Sequence, residues 1–319
     1  MDATAGCDRG SEGFWMKNYR FIDYCVQVYV TLVGLLVLLF HGQREPFWHL
    51  LVALHAAAVI AVHLLIQAHA KWPRNGLLIL LRHFYPIMLY PPFYAETGLL
   101  NRMFIPGYLD EFFIRLEDQM FGFQPSIAFM EKLPYLPVSE LFYASYFSYY
   151  VMIVGVGLLL YLKNERCFLH YISTVSFVFY VCYLIYIFLP VVGSRVFYAS
   201  VPDFPAQTTW GFFPLPYPRA VESGPFFHIM AFIYAYVESP GAAFPSSHVA
   251  VAMVTLYFSW LYRLRVRHVH VALVGLLCAA TVYCRYHYVV DVLAGALTAL
   301  VLLPIGERLY WKWARKNTP

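Results

Sequence analysis

His287 and Asp291 stand four residues apart in the stretch RYHYVVD, and four residues is about one turn of helix, so their side chains share a face. A carboxylate placed there can accept a hydrogen bond from one imidazole nitrogen and leave the other as an oriented nucleophile or base. A buried His and Asp that merely satisfy each other would have the same spacing. A second histidine, His248, closes the stretch GAAFPSSH. Pro245 suits the first turn of a helix, where its missing N–H costs nothing. Ser246, Ser247 and the free backbone N–H groups of that turn would then seat an anion such as phosphate, with His248 beside them to protonate a leaving oxygen. Arg195, in GSR, and Arg285 each carry paired donors that match phosphate oxygens. Taken singly, each feature has a plainer explanation, a serine cap with a chance histidine or an arginine reaching to an interface. Together they describe phosphoryl chemistry.

The elements that must position these residues are membrane helices. The chain of 319 residues is 61% hydrophobic and 13% charged, with a mean hydropathy of +0.59, whereas soluble domains are roughly 25% charged. Its 27 Tyr and 27 Phe gather at the ends of apolar runs, where amphipathic rings anchor helices at the membrane interface. The net charge of +4 is spread over short loops, without the basic stripe that follows a nucleic-acid backbone. Cys7, Cys25, Cys167, Cys182, Cys278 and Cys284 show neither CxxC nor metal spacing and read as small core residues. The first apolar run is too long for a signal-peptide core and lacks a cleavage site, so it is expected to be retained.

A span needs about 20 mainly apolar residues, and eight candidates lie near 21–40, 48–68, 77–95, 139–161, 168–190, 248–262, 270–285 and 288–306. The third is interrupted by Arg82, His83, Pro86, Pro91 and Pro92, so a broken or re-entrant helix fits it as well as a full span. With alternating spans, Lys71, Arg74, Lys163, Arg166 and the basic turn RLRVRHVH fall on one side together with both termini. The long loops near 97–138 and 191–247, on the other side, hold only Arg102, Arg115, Lys132, Arg195 and Arg219. The positive-inside bias therefore predicts cytoplasmic termini and an extracytoplasmic site, in a plasma membrane such as a bacterial inner membrane. Between His248 and His287 the chain goes in and returns, so both histidines reach the same side.

In the first long loop, Leu109, Phe112, Phe113, Leu116 and Met120 recur at helical spacing, which predicts an amphipathic helix at the outer interface. The second, rich in Pro, Gly and aromatics, has the composition of a shaped lid. The expected organisation is a cytoplasmic segment at 1–20, membrane and interfacial helices over 21–138, a catalytic membrane domain over 139–306 and a basic tail at 307–319.

PSSH followed after two spans by HYVVDVLAG resembles the second and third motifs of the type 2 phosphatidic acid phosphatase superfamily, PSGH and SRxxxxxHxxxD. The resemblance covers roughly residues 139–306. It implies an all-α membrane protein with a six-helix core, a phosphohistidine at His287, Asp291 as its orienting partner, and His248 as acid and then base; it implies no metal and no cofactor. The family's first motif, KxxxxxxRP, is absent, and LPVVGSRVF offers only Arg195. Thr281 stands where the family places an arginine before the third-motif histidine. The wording of GAAFPSSHVA and RYHYVVD is more similar to the branch with inositol phosphorylceramide synthases and sphingomyelin synthases. Those enzymes pass a phosphorylated head group to another lipid, so a phosphorylated membrane lipid is the implied substrate, with water or a lipid hydroxyl as acceptor.

Two other classes compete. A lipid transporter or lipid-binding protein could use the same polar cluster, but such sites sit near the bilayer midplane between inverted repeats, and here the cluster sits at segment ends with no repeat visible. A purely structural membrane subunit leaves the His and Asp pair without a role, although ionisable groups near lipid are functional candidates by default.

Overall fold

The computed structural model describes residues 18–42, 47–200, 217–237 and 239–317. Cys7 and most of the expected lid lie outside these residues. The chain runs as α1 (Phe21–Phe40), α2 (Trp48–Lys71), α3 (Gly76–Leu100), α4 (Asp110–Phe121), α5 (Pro125–Lys132), α6 (Leu136–Lys163), α7 (Glu165–Phe188), α8 (Ser194–Ser200), α9 (Arg219–Glu222), α10 (Pro225–Val237), α11 (Ser247–Leu261), α12 (Arg267–Tyr283) and α13 (Val289–Asn317). It is an all-α integral membrane protein.

All eight expected segments are helices. By length and composition, α1, α2, α6, α7 and α13 are fit to cross a membrane, whereas α11 and α12 are shorter apolar helices of 15 and 17 residues. At ~1.5 Å per residue these two rise about 22 and 26 Å, close to a hydrocarbon core. The third segment is one unbroken helix, with Pro86, Pro91 and Pro92 inside it. Arg82, which made that segment look unsuited to lipid, is buried in a two-pronged ion pair with Asp23 of α1, to which Tyr85 also donates at 2.6 Å. The last helix passes residue 306 without a break and continues to Asn317. Helix α10 has no counterpart among the expected segments, because its 13 residues are too few for a span.

α7 is the most buried long helix and packs on α1, α3, α6, α11 and α13. Its core contacts are aromatic: Tyr180 stacks on Tyr29, and Phe179 and Tyr183 meet Tyr90 and Tyr29. The basic residues of the connections gather at one end of the bundle, where Lys163 donates to the Tyr262 carbonyl and Arg20 pairs with Glu165. At the other end, His248 and His287 open α11 and precede α13.

The amphipathic helix α4 is present, with a different buried face from the one expected. Phe112 and Met120 are 63% and 50% exposed, while Asp110, Phe113, Ile114 and Glu117 are buried. The apolar part of that face packs with Val191, Val192, Phe197, Ala243 and Tyr288. α4 therefore lies against the segments that carry the candidate residues.

Candidate active site

The segment 191–195 links the parts of the site. Val191 and Ala242 form a parallel bridge, with Ala243 N–H donating to the Val191 carbonyl at 2.8 Å. Gly193 sits at φ +84°, in the left-handed region that favours glycine, and a side chain there would run into the Tyr286 carbonyl. Next to it, Ser194 Oγ and Arg195 N–H both donate to the Arg285 carbonyl, at 3.1 and 2.8 Å. The GSR and RYHYVVD stretches are thus bound to each other through backbone.

The turn before α13 is held by α12. Tyr286 N–H and His287 N–H both donate to the carbonyl of Thr281, the residue that replaces the arginine of the resembled motif. His287 Nδ1 lies 3.4 Å from Asp291 Oδ2, which also accepts from Tyr288 N–H at 2.9 Å. Both residues are buried, at 3% and 0% exposure, and Asp291 Oδ1 has no partner among the described residues. A His to Asp hydrogen bond of this length tightens as charge develops on the imidazole. With Nδ1 turned to the carboxylate, Nε2 is the nitrogen left for a reacting atom.

His248 is approached from the other side. Its ring lies 5.6 Å from that of His287, edge to face, and 4.4 and 4.9 Å from the rings of Tyr149 and Tyr146. The Tyr146 hydroxyl is 3.0 Å from His248 Nε2 and 2.5 Å from the Tyr234 hydroxyl, while His248 Nδ1 has no partner among the described residues. Arg195 lies over Tyr234 and Tyr286, at 4.9 and 5.5 Å from the ring centres. Arg195, His248 and His287 line one small polar cavity, with Tyr94, Tyr234, Ser239 and Tyr286 among the other walls.

Two sequence expectations land elsewhere. The serine amides of the PSSH turn and the amide of Val249 are occupied: Ser246 N–H donates to the Asp291 carbonyl, Ser247 N–H to the Tyr186 hydroxyl and Val249 N–H to Ser246 Oγ. Ser246 is a buried cap that joins α11 to α13, and Ser247 faces a second cavity. The Arg285 guanidinium lies 5.3 Å from Tyr217 rather than in the polar cavity, and its Nε and Nη1 have no partner among the described residues. Burial lowers its pKa from the usual guanidinium value. Tyr146, Tyr234, Asp110 and Glu117 were not singled out by sequence. The only signal for the last two was two carboxylates seven residues apart on the face that carries Phe113.

The second cavity is larger and apolar. It lies between α3, α6, α7 and α10, lined by Ile87, Tyr90, Ile153, Phe179 and Tyr183 among others, and it shares His248, Tyr94 and Tyr234 with the polar cavity. Val154 and Val237, which line it, are 56% and 45% exposed.

A family profile described as the PAP2 superfamily matches residues 111–305, more than half of the chain. The chain belongs to the PAP2 superfamily. The match begins within α4, one residue after Asp110, and not at the aromatic helix α6, so the PAP2 region includes Glu117 as well as the His248 and His287 motifs. Neither curated proteins nor solved structures offer a match. PAP2 membership supports a phosphatase-type lipid phosphoesterase activity. Among the described residues, no three His, Cys, Asp or Glu side chains are grouped to hold a metal ion.

Proposed function

We propose that this PAP2 protein cleaves a phosphoester of a membrane lipid through a phosphohistidine on His287 and passes the phosphoryl-bearing group to water or to a second lipid hydroxyl. The observation that carries this reading is the position of His248 in the wall between a polar cavity and an apolar one. The ester oxygen served by His248 joins the phosphate to the lipid. Its phosphate belongs beside Arg195 and His287, and its chain beside Tyr90, Phe179 and Tyr183.

In the first step His287 Nε2 attacks phosphorus, the bond from phosphorus to the lipid oxygen breaks, and His248 gives that oxygen a proton. Asp291 stabilises the imidazolium that forms, and Arg195 offsets charge on the nonbridging oxygens. In the second step an acceptor hydroxyl loses its proton to His248 and attacks phosphorus, and the bond to His287 breaks. Because the acceptor enters where the alcohol left, an apolar cavity there suits a lipid hydroxyl, as in the inositol phosphorylceramide and sphingomyelin synthases that the motifs resemble. The basic opposite end supports a site on the extracytoplasmic face.

The test is incubation of the purified protein with labelled phospholipids, with and without diacylglycerol, ceramide or polyprenol. Released phosphate or a labelled new lipid, together with acid-labile label on His287 that His287→Ala abolishes, is the expected result. Turnover without label on histidine would remove the phosphohistidine, and binding without turnover would return the protein to the lipid-binding class.

A further inference from the structure

Helix α4 offers two carboxylates to the site from behind. Asp110 and Glu117 are both 0% exposed and lie two turns apart on one face. Asp110 Oδ2 accepts from Val192 N–H at 3.0 Å, and Oδ1 accepts from Gly193 N–H at 3.0 Å and from the Tyr288 hydroxyl at 2.9 Å. Glu117 Oε1 accepts from Val289 N–H, at the start of α13, at 2.5 Å. Neither carboxylate lines the polar cavity, which counts Val192, Arg195 and His287 among its walls. The groups they hold are the neighbours of those walls: Gly193 leads into Arg195, Tyr288 follows His287, and Val289 opens the helix that carries Asp291.

We propose that Asp110 and Glu117 are positioning residues through which α4 sets the spacing between Arg195 and the His287–Asp291 pair. The proposal rests on the reading of His287 as nucleophile. Phe113 and Ile114 already dock α4 by apolar contact, and apolar side chains would complete that docking without burying charge. What carboxylates add is charge-assisted bonds to chosen amides and a negative group at the N-terminus of α13, where the helix end favours it. Asp110 spans both halves of the site; Glu117 fixes the half that carries Asp291.

Both bonds respond to pH near neutrality. Burial pushes Asp110 up to about 6 against the pull of its Val192, Tyr288 and Gly193 bonds, with Asp291 raising it further. Burial pushes Glu117 up to about 7, opposed by the amides of Val289 and Val290. The charged groups that face Glu117 are Asp291 on α13 and Asp118 on α4, and both raise it; His287, on the turn before α13, bonds Asp291 instead. The grip of Glu117 therefore strengthens as pH rises through about 7. Its effect on folding has the opposite sign. A carboxyl raised from 4.5 to about 7 binds its proton more tightly in the fold, so its contribution to stability is present at low pH and is lost as pH rises through that interval. Glu117→Gln, which keeps an acceptor and loses the charge, should cost activity at pH 8 while sparing or raising stability. A merely structural residue would lose both together.

The experiment compares full-length wild type, Glu117→Gln, Glu117→Ala and Asp110→Asn in lipid nanodiscs. Rates on phosphatidic acid are read from pH 5.5 to 9, with melting temperature and backbone hydrogen exchange alongside. For Glu117→Gln the expected result is a kcat about tenfold lower at pH 8, the scale of loss when a group orienting a reacting side chain is removed. KM should change less than threefold, the rising limb centred near pH 7 should vanish, and the melting temperature should be equal to or above wild type. Unchanged kcat, or a fall in kcat with a matching fall in melting temperature, overturns the proposal. If the wild type turns over no lipid phosphate, the reading of the reaction has failed by itself, and exchange decides the positioning. Glu117→Ala must then release the amides of 288–292 and Asp110→Asn those of 192–196; wild-type protection at either segment overturns it.

Discussion

The Tyr146 hydroxyl lies 3.0 Å from His248 Nε2 and 2.5 Å from the Tyr234 hydroxyl. If the Tyr234 proton points to Tyr146, the Tyr146 proton points to His248, and the imidazole carries its own proton on Nδ1. In that order the neutral imidazole keeps its proton on Nδ1, whereas in the protonated acid Nε2–H donates to the Tyr146 hydroxyl instead, so the hydroxyl pair provides a choice of partner that orients the ring in both states. Tyr146→Phe keeps the ring and removes that choice. It should lower kcat about tenfold while costing only about 1 kcal/mol of stability, measurable by steady-state rates beside a thermal melt. Wild-type kcat would mean that the pair does not orient His248.

The two histidines should fail differently. His287→Ala should remove turnover and every trace of phosphoenzyme. His248→Ala, given a nitrophenyl ester whose leaving group needs no proton, should still label His287 and then accumulate the label, because the second step lacks its base. Gel autoradiography after acid and base treatment separates these outcomes. The assignment is falsified if only the His248 variant fails to label.

Asp291→Asn keeps a side chain of the same shape beside His287 Nδ1 and Tyr288 N–H but loses the charge that favours the imidazolium. By analogy with hydrolytic triads its rate should fall by roughly 10⁴, between the losses of the two histidine variants. A loss below tenfold in single-turnover labelling would show that the pair is structural.

Gly193→Ala asks whether the left-handed turn sets the site. The added methyl meets the Tyr286 carbonyl, and φ of +84° is strained for alanine by about 1–3 kcal/mol. The chain should fold with a reduced melting temperature and lose at least tenfold in kcat/KM as Arg195 shifts. Full activity would make the 193–195 segment irrelevant to catalysis.

At the far end of the bundle, Arg82→Ala leaves Asp23 buried without its partner and should cost roughly 3–5 kcal/mol. The double variant Asp23→Ala/Arg82→Ala should recover part of that loss, since no lone charge remains. Chemical denaturation of the three variants checks the order, and a double variant as unstable as the sum of the singles would remove the buried-charge explanation.

That His248, His287, Asp291 and Arg195 lie together could be anticipated from the sequence because each stands in a short stretch at the same end of an apolar segment. Two spans of similar length between the histidines were enough to predict that they meet at one end. The aromatic partners were not legible. With 27 tyrosines in the chain, nothing marks Tyr146 or Tyr234 until α6 and α10 are placed beside α11. The PSSH amides show a related limit: a helix N-terminus looks open in sequence, and only packing shows that Tyr186 and the Asp291 carbonyl take the Ser247 and Ser246 amides. Helix α4 illustrates the limit of hydrophobic period alone, since its stripe is apolar toward one surface and acidic toward the site.

Val154 and Val237, which line the apolar cavity, are exposed side chains on the apolar helices α6 and α10, which on the proposed reading gives that cavity a side open to the bilayer. On the reading proposed for His248, a substrate or acceptor reaching that cavity arrives by diffusion in two dimensions. Its effective concentration is then a mole fraction in the membrane rather than a molarity in water. Adding inert lipid at constant total substrate would dilute the reaction, and adding more buffer would not.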